Sequence, residues 1–442
     1  MGGAILPTCG IWESFIARWF LAGITLFFAF GGRAAVSLKE INPPPNPPAT
    51  NVIAIVGATL IDGKGGPPLP EAVVIVQGAT IIAVGQGGSI TVPERAQIFQ
   101  APGLTLVPGF IDAHFHIERS YDLPRLFLSH GVTALRDPGQ WIKIYDPIRL
   151  SDLQQPRCFV AGPHLDCPPH AHPQDALAVA SAEETRNAVN RFVDEGASVI
   201  KVYFRLPLDL IGAACEAAHQ RAVPVTAHLE LVDADHAIAA GLDGIEHVTS
   251  FGTALAEPDE AKRFREAVAA DNEARRKGRY ELWSRLSLEN SKRLQALLAL
   301  LVKRKIFVSA TLAVFERRRG DKGVSEVEAR GFENMLKFVG QCHRAGVTLV
   351  VGSHSDVPKA ERGWAYQREL ELLAECGLNP QEVLRAATIN NARYFRIDDR
   401  LGSVEPGKLA DLVLMEGNPL MDIKILRKVK RVMLNGRWVV WP

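Results

Sequence analysis

PGFIDAHFH, residues 108–116, ends an apolar, β-branched run on two histidines one residue apart. Side chains two apart on a strand point to the same side, about 6.6–7 Å apart along the chain. His114 and His116 so placed can converge on one metal ion at about 2.1 Å each. An HxH pair alone is a weak signal. Here it closes a strand behind a Pro-Gly turn, and in a parallel barrel the strand ends at the mouth carry the chemistry.

Seven further apolar runs follow outward from it: GVTALRD, RCFVAG, SVIKVYF, VPVTAHL, GIEHV, FVSATL and TLVVGSH. Helix-length amphipathic segments such as AEETRNAVNRFVDEG and LDLIGAACEAAHQRA sit between several of them. Strand–helix alternation of this kind predicts an α/β fold, a closed (β/α)8 TIM barrel over about residues 107–402. A charged helical insertion, about Ala256 to Leu301, reads as solvated helix faces that could cover the barrel mouth. Both chain ends are β-rich: NVIAIVGATLIDG and AVVIVQGATIIAVG before the barrel, LADLVLMEG and VKRVMLNGRWVV after it. Their texture predicts a small β-sandwich built from residues 52–106 and 403–442.

The polar residues at the run ends form a series. Lys201 lies among Val199, Ile200 and Val202, where a charged ammonium is costly. It either snorkels or pairs with an acid, or sits neutral and able to react with carbon dioxide, giving an anionic oxygen donor. His228 and His247 end two more runs; each alone could be a core histidine. Two histidines on the first strand, a lysine on the fourth and one histidine each on the fifth and sixth make a placement that chance does not favour.

These motifs resemble the amidohydrolase superfamily, in the branch with imidazolonepropionase-like and Xaa-Pro dipeptidase-like proteins. PGFIDAHFH, VIKVY, AHLE and IEHV resemble its ligand strands, and GLNPQEVLRAATINNARYF with GSVEPGKLADLVLMEGNPL its last helix and returning strands. The resemblance implies two divalent ions, zinc being the first expectation. His114 and His116 would hold one, His228 and His247 the other, with carbamylated Lys201 bridging them. It implies hydrolysis of an amide-type C–N bond by a metal-bound hydroxide, in a dipeptide or cyclic amide, not peptide endoproteolysis. Where the family reads Gly-Thr-Asp on its last strand, this chain reads Gly352-Ser353-His354-Ser355-Asp356. His354 falls in the aspartate's place, and Asp356 lies about two residues, nearly 7 Å, further out. His354 is expected to face the metals as general base and Asp356 to sit at the pocket rim. The departure keeps two alternatives open: non-hydrolytic chemistry on the same fold, or a binding protein with weak catalysis. Tyr203, Arg205, Glu230 and Glu118 follow ligand positions as candidate substrate contacts, with Arg205 and Tyr203 expected to hold a substrate carboxylate. His170 and His172 lie in the loop after the third strand.

Composition sets the bounds. A chain of 442 residues with 47% hydrophobic and 22% charged residues can bury a large core. A net charge of +1 speaks against nucleic acid or an acidic membrane surface. The six cysteines form no CxxC pair, against both a disulfide framework and a thiolate zinc site. The apolar run Trp19–Phe30 is too short to span a bilayer, which takes roughly 20 residues, and small residues follow it. Residues 1–35 therefore read as a signal peptide, cleaved after Ala34 or Ala35 or kept as an anchor, and predict a periplasmic or secreted protein with no stable membrane association after cleavage. INPPPNPPAT, within residues 36–51, reads as a stiff spacer. The partner expected is a small molecule, with homo-oligomerisation left open.

Overall fold

A computed structural model describes residues 38–118 and 120–440. The predicted leader lies outside the described residues. All eight predicted runs of the central region contain a strand. Phe110–Asp112, Val132–Asp137 and Arg157–Val160 form a three-stranded sheet. Ile200–Val202, Val225–Ala227, Gly244–Glu246, Phe307–Ser309 and Thr348–Val350 lie in a seven-stranded sheet, joined by the short strands His164–Asp166 and Ala176–Ala178. Every pairing in both sheets is parallel. Nearly all of these residues are buried, as parallel strands covered on both faces require.

The two sheets are tied at both ends. Arg157–Val160 and His164–Asp166 are successive stretches of one chain segment, and Ser198 N–H donates to Val160 O at 2.8 Å. On the other side Ala113 N–H donates to Val351 O at 2.8 Å. Helices alternate with the strands for local reasons. Ser181 caps Ala182–Glu195 by accepting the Glu184 N–H, Gly196 ends it in the left-handed region, and Ala188, Val189 and Phe192 face the core. In the charged stretch, Pro258–Ala270 and Ala274–Arg285 are the additional helices; Lys292–Arg304 leads directly into Phe307–Ser309.

The β-rich ends pair with each other, into one eight-stranded sheet. Leu104–Pro108 lies antiparallel to Leu412–Glu416, with Leu106 opposite Leu414. Ile55, Val74, Leu106, Leu412 and Met433 belong to one buried cluster on this sheet.

The proline-rich stretch departs from the spacer expectation. Leu38 is buried, Glu40 pairs with Arg157 and Arg400, and Asn42 exchanges hydrogen bonds with Cys158 N–H and Pro156 O. Prolines lack an N–H but keep their carbonyls; those of Pro44 and Pro45 accept from Asn435 Nδ2 at 3.2 Å each. The segment is docked onto the body. Among the described residues no helix is long and apolar enough to cross a membrane.

Candidate metal centre

Backbone chemistry brings the first and last strands of the series together. Buried Asp112 accepts the N–H groups of His114 at 3.0 Å and Ser353 at 2.9 Å. His354 N–H donates to His114 O at 2.7 Å, and His116 N–H to Ser355 Oγ at 2.6 Å. Gly352 permits this approach, since a Cβ there would collide with Ser309 Oγ and His114 Cβ. His354 and Ser355 adopt φ of 61° and 62°, a left-handed conformation costly for residues with a Cβ. That turn swings the His354 ring over the histidine pair.

The result is a compact set of imidazoles. His114 Nε2 and His116 Nε2 are 3.1 Å apart, and the ring nitrogens of His114, His116 and His354 that face one another all lie within 4.8 Å. His247 is close to both His114 and His228, with ring centroids 4.5 and 4.4 Å away. The chain thus brings His114, His116, His228, His247 and His354 to one cavity of about 840 Å³, which Lys201 also lines.

Four of these five rings are biased toward the neutral form that ligands must take. Burial, the largest influence, pulls His114 down to about 3 and His228 to about 4. Burial and the neighbouring histidines hold His247 and His354 well below the ordinary range. His116 alone moves up: burial opposes the charge, but Asp137 prevails. Burial brings Lys201 down to about 8, where the neutral amine is accessible. Lys201 Nζ and both ring nitrogens of His228 are buried without a hydrogen-bond partner. Orphaned donors and acceptors gathered around one point are costly unless something binds them. The residues present therefore fit divalent metal.

Behind the ligands lies a buried polar floor that sequence reasoning missed. Glu246 accepts from His114 Nδ1 at 2.9 Å, Arg136 Nη2 at 3.1 Å, Thr226 at 2.8 Å and Tyr394 at 3.0 Å. Burial works against its charge, but His114, Lys201 and Arg136 hold it well below the usual carboxylate range. The bond to Nδ1 fixes the tautomer and leaves His114 Nε2 free for metal. His247 Nδ1 meets Thr311 Oγ1 at 2.7 Å.

The substrate contacts divide. Tyr203 lines the cavity, as do Glu118, His172 and the exposed Asp356. Arg205 does not. The strand ends at Val202 and the chain turns, so face alternation stops; the Arg205 guanidinium donates to Asn272 Oδ1 at 2.8 Å and Val268 O at 2.6 Å. Glu230 is also not a lining residue: buried, it faces Arg279 at 3.5 Å and Arg275 at 4.0 Å. His170 faces Asp166 at 3.7 Å. The place expected for Arg205 is taken by Arg275, from the helix Ala274–Arg285. It is 4% exposed, donates to Tyr203 Oη at 3.2 Å and meets His172 Nε2 at 3.1 Å, while its Nε has no partner. Its surroundings in sequence, ARRKGR, look like a solvated face and gave no signal. His164, buried with Nε2 unpartnered and its ring 4.2 Å from Tyr203, was likewise missed.

Known proteins share sequence or fold with this chain. Adenine deaminase 3 of Rhizobium meliloti (strain 1021) is 24% identical over 387 residues, covering 82% of this chain and 54% of that protein. The N-acyl-D-aspartate deacylase of Alcaligenes xylosoxydans xylosoxydans is 30% identical over 216 residues, 48% of this chain and 39% of that one. The chain thus spans about half or less of the length of these curated relatives. In fold it is similar to a crystal structure of a Xaa-Pro dipeptidase with bound methionine in the active site: TM-score 0.68, 21% identity, 88% of this chain and 99% of that one. A sequence model of the amidohydrolase family matches residues 105–439, so the chain belongs to the amidohydrolase family.

Proposed function

We propose that this protein is a metal-dependent hydrolase that cleaves an amide-type C–N bond in a small substrate bearing a carboxylate. The observation that carries the reading is the set of buried, partnerless nitrogens at His228 and Lys201 beside the His114–His116–His354 cluster. The hydrogen bonds joining the two parallel sheets support a closed (β/α)8 barrel around it, and the buried cluster shared by both chain ends supports a small β-sandwich. The apolar run Trp19–Phe30 supports a site of action outside the cytoplasm.

Divalent metal, zinc for nitrogen ligands of this kind, would supply a Lewis acid for the scissile carbonyl and a water ionised near neutral pH. His114, His116, His354, His228, His247 and Lys201, the last as its carbamate, would hold it. The chain's own groups do the rest. Glu246 keeps His114 in one tautomer. The Tyr203 hydroxyl oxygen accepts from Arg275, which leaves its O–H free to donate to substrate oxygen; burial raises its pKa against the opposing pull of Arg275. The unpartnered Nε of Arg275 gives a buried guanidinium an unspent donor, to which a substrate carboxylate oxygen can bond with the guanidinium charge beside it. An acidic substrate accords with the deacylase relative, whose name specifies N-acyl-D-aspartate. Asp356 lines the cavity beyond His354, and on this reading it carries a proton to the leaving nitrogen.

The test is a panel of N-acyl amino acids, dipeptides and cyclic amides, assayed for released amine with metal-replete protein. Turnover confined to carboxylate-bearing amides is expected. Binding without turnover would favour the weakly catalytic alternative, and a rearranged product the non-hydrolytic one.

A further inference from the structure

The two ends of the metal centre are not built alike. His114 has a charged carboxylate on its far nitrogen, Glu246 at 2.9 Å, and His116 faces Asp137 at 3.6 Å. His354 is fixed over them by its own N–H bond to His114 O and by the Ser355 hydroxyl that takes the His116 N–H. At the other end the imidazoles that follow the barrel strands are His228 and His247, and neither has a carboxylate of its own behind it. His247 Nδ1 meets a neutral hydroxyl, Thr311. His228 has no hydrogen bond at either nitrogen; the nearest carboxylate, Glu230 at 3.5 Å, also faces Arg279 at 3.5 Å. Lys201 as an ammonium offers no ligand atom there, and supplies negative charge only as its carbamate.

We propose that the chain binds one divalent metal tightly on His114, His116 and His354, and a second far more weakly beside His228, His247 and Lys201. Three chemical facts lead there. Carboxylates behind ligand imidazoles orient them and raise their basicity, worth about 10–100-fold in metal affinity. Three nitrogen ligands with an open position form a complete catalytic site for one zinc ion. An imidazole at position 354 brings no negative charge, so a second dication close by meets repulsion that an aspartate would have offset. This inference rests on the metal-centre reading above and deepens it.

The test uses full-length protein stripped of metal and equilibrated against buffered free zinc, with zinc per chain counted by mass spectrometry. Two separate steps are expected, the first complete at free zinc about 10–100-fold lower than the second, a gap of the size second-sphere groups produce. His354→Ala should abolish the tight step and His228→Ala should spare it. His354→Asp, which adds the missing charge, should bring the two steps together. A single step to two ions per chain in the unaltered protein overturns the proposal. So does a tight step that survives His354→Ala, or a gap unchanged in His354→Asp, a variant whose native thermal transition can be checked without metal. Amide turnover with two equivalent ions would overturn this inference alone; two unequal steps without turnover of any amide would overturn the hydrolase reading alone.

Discussion

The imidazole of His354 stacks over that of His114, ring centroids 5.3 Å apart and planes 12° from parallel. A residue that follows the Thr348–Val350 strand thus shares a face with one that follows Phe110–Asp112, and the left-handed turn at His354 and Ser355 is what delivers it. With the His354 ring committed to that cluster, proton transfer falls to another group. Asp356→Asn should lower kcat by about 10²-fold or more, with little change in bound metal, as loss of a general acid–base does. Unaltered kcat at matched metal content would remove Asp356 from the reaction.

Arg275→Ala should raise KM for carboxylate-bearing substrates by about tenfold or more and change kcat less, because it removes binding shared by ground and transition states. Arg275→Lys should not restore it, since an ammonium cannot reproduce the planar fork. Arg205→Ala should leave both constants unchanged, its guanidinium being spent on Asn272 and Val268. Steady-state kinetics on paired substrates with and without the carboxylate check this; a KM shift in the Arg205 variant alone would reverse the assignment.

Glu246→Gln should weaken metal binding by about 10–100-fold, the range for lost carboxylate support of a ligand histidine. It also leaves the buried Arg136 without its counter-charge, so the thermal transition of the metal-free protein should fall as well. Competition against a chromogenic chelator reads the affinity. Unchanged affinity would show that Glu246 serves the fold only.

Glu369 gives a pH signature. Its carboxyl is buried, accepts the N–H groups of Leu312 and Ala313 at 2.9 and 2.8 Å, and is pushed up to about 8, chiefly by burial. Between its ordinary value near 4.5 and about 8 the folded chain keeps a proton that the unfolded chain has released. Stability from this group is therefore complete below the unfolded value and is lost as pH rises through the folded one. Glu369→Gln should lack that slope, so the advantage in Tm of the unaltered protein over the variant should shrink from pH 5 to 8. Parallel Tm curves would show that Glu369 does not hold its proton.

What the sequence made legible follows from what each residue needs locally. The eight runs were readable because parallel strands buried on both faces must be continuously apolar, and His114, Lys201, His228 and His247 stood out at their ends. Arg205 was misplaced because strand alternation was carried past Val202, where the chain turns. Arg275 was invisible because its burial depends on Tyr203 and on the Phe204 ring, 4.9 Å below its guanidinium, contacts no local pattern encodes. The docking of Pro44 and Pro45 likewise depends on Asn435, from the far end of the chain.

The most direct test of the central claim is amide hydrolysis as a function of metal. Protein stripped by chelation and assayed on an N-acyl amino acid substrate should be inactive, and should regain activity when zinc and bicarbonate are returned, with Lys201→Ala failing to recover. Full activity in the stripped protein, or no turnover of any amide after metal content is restored, would contradict the account.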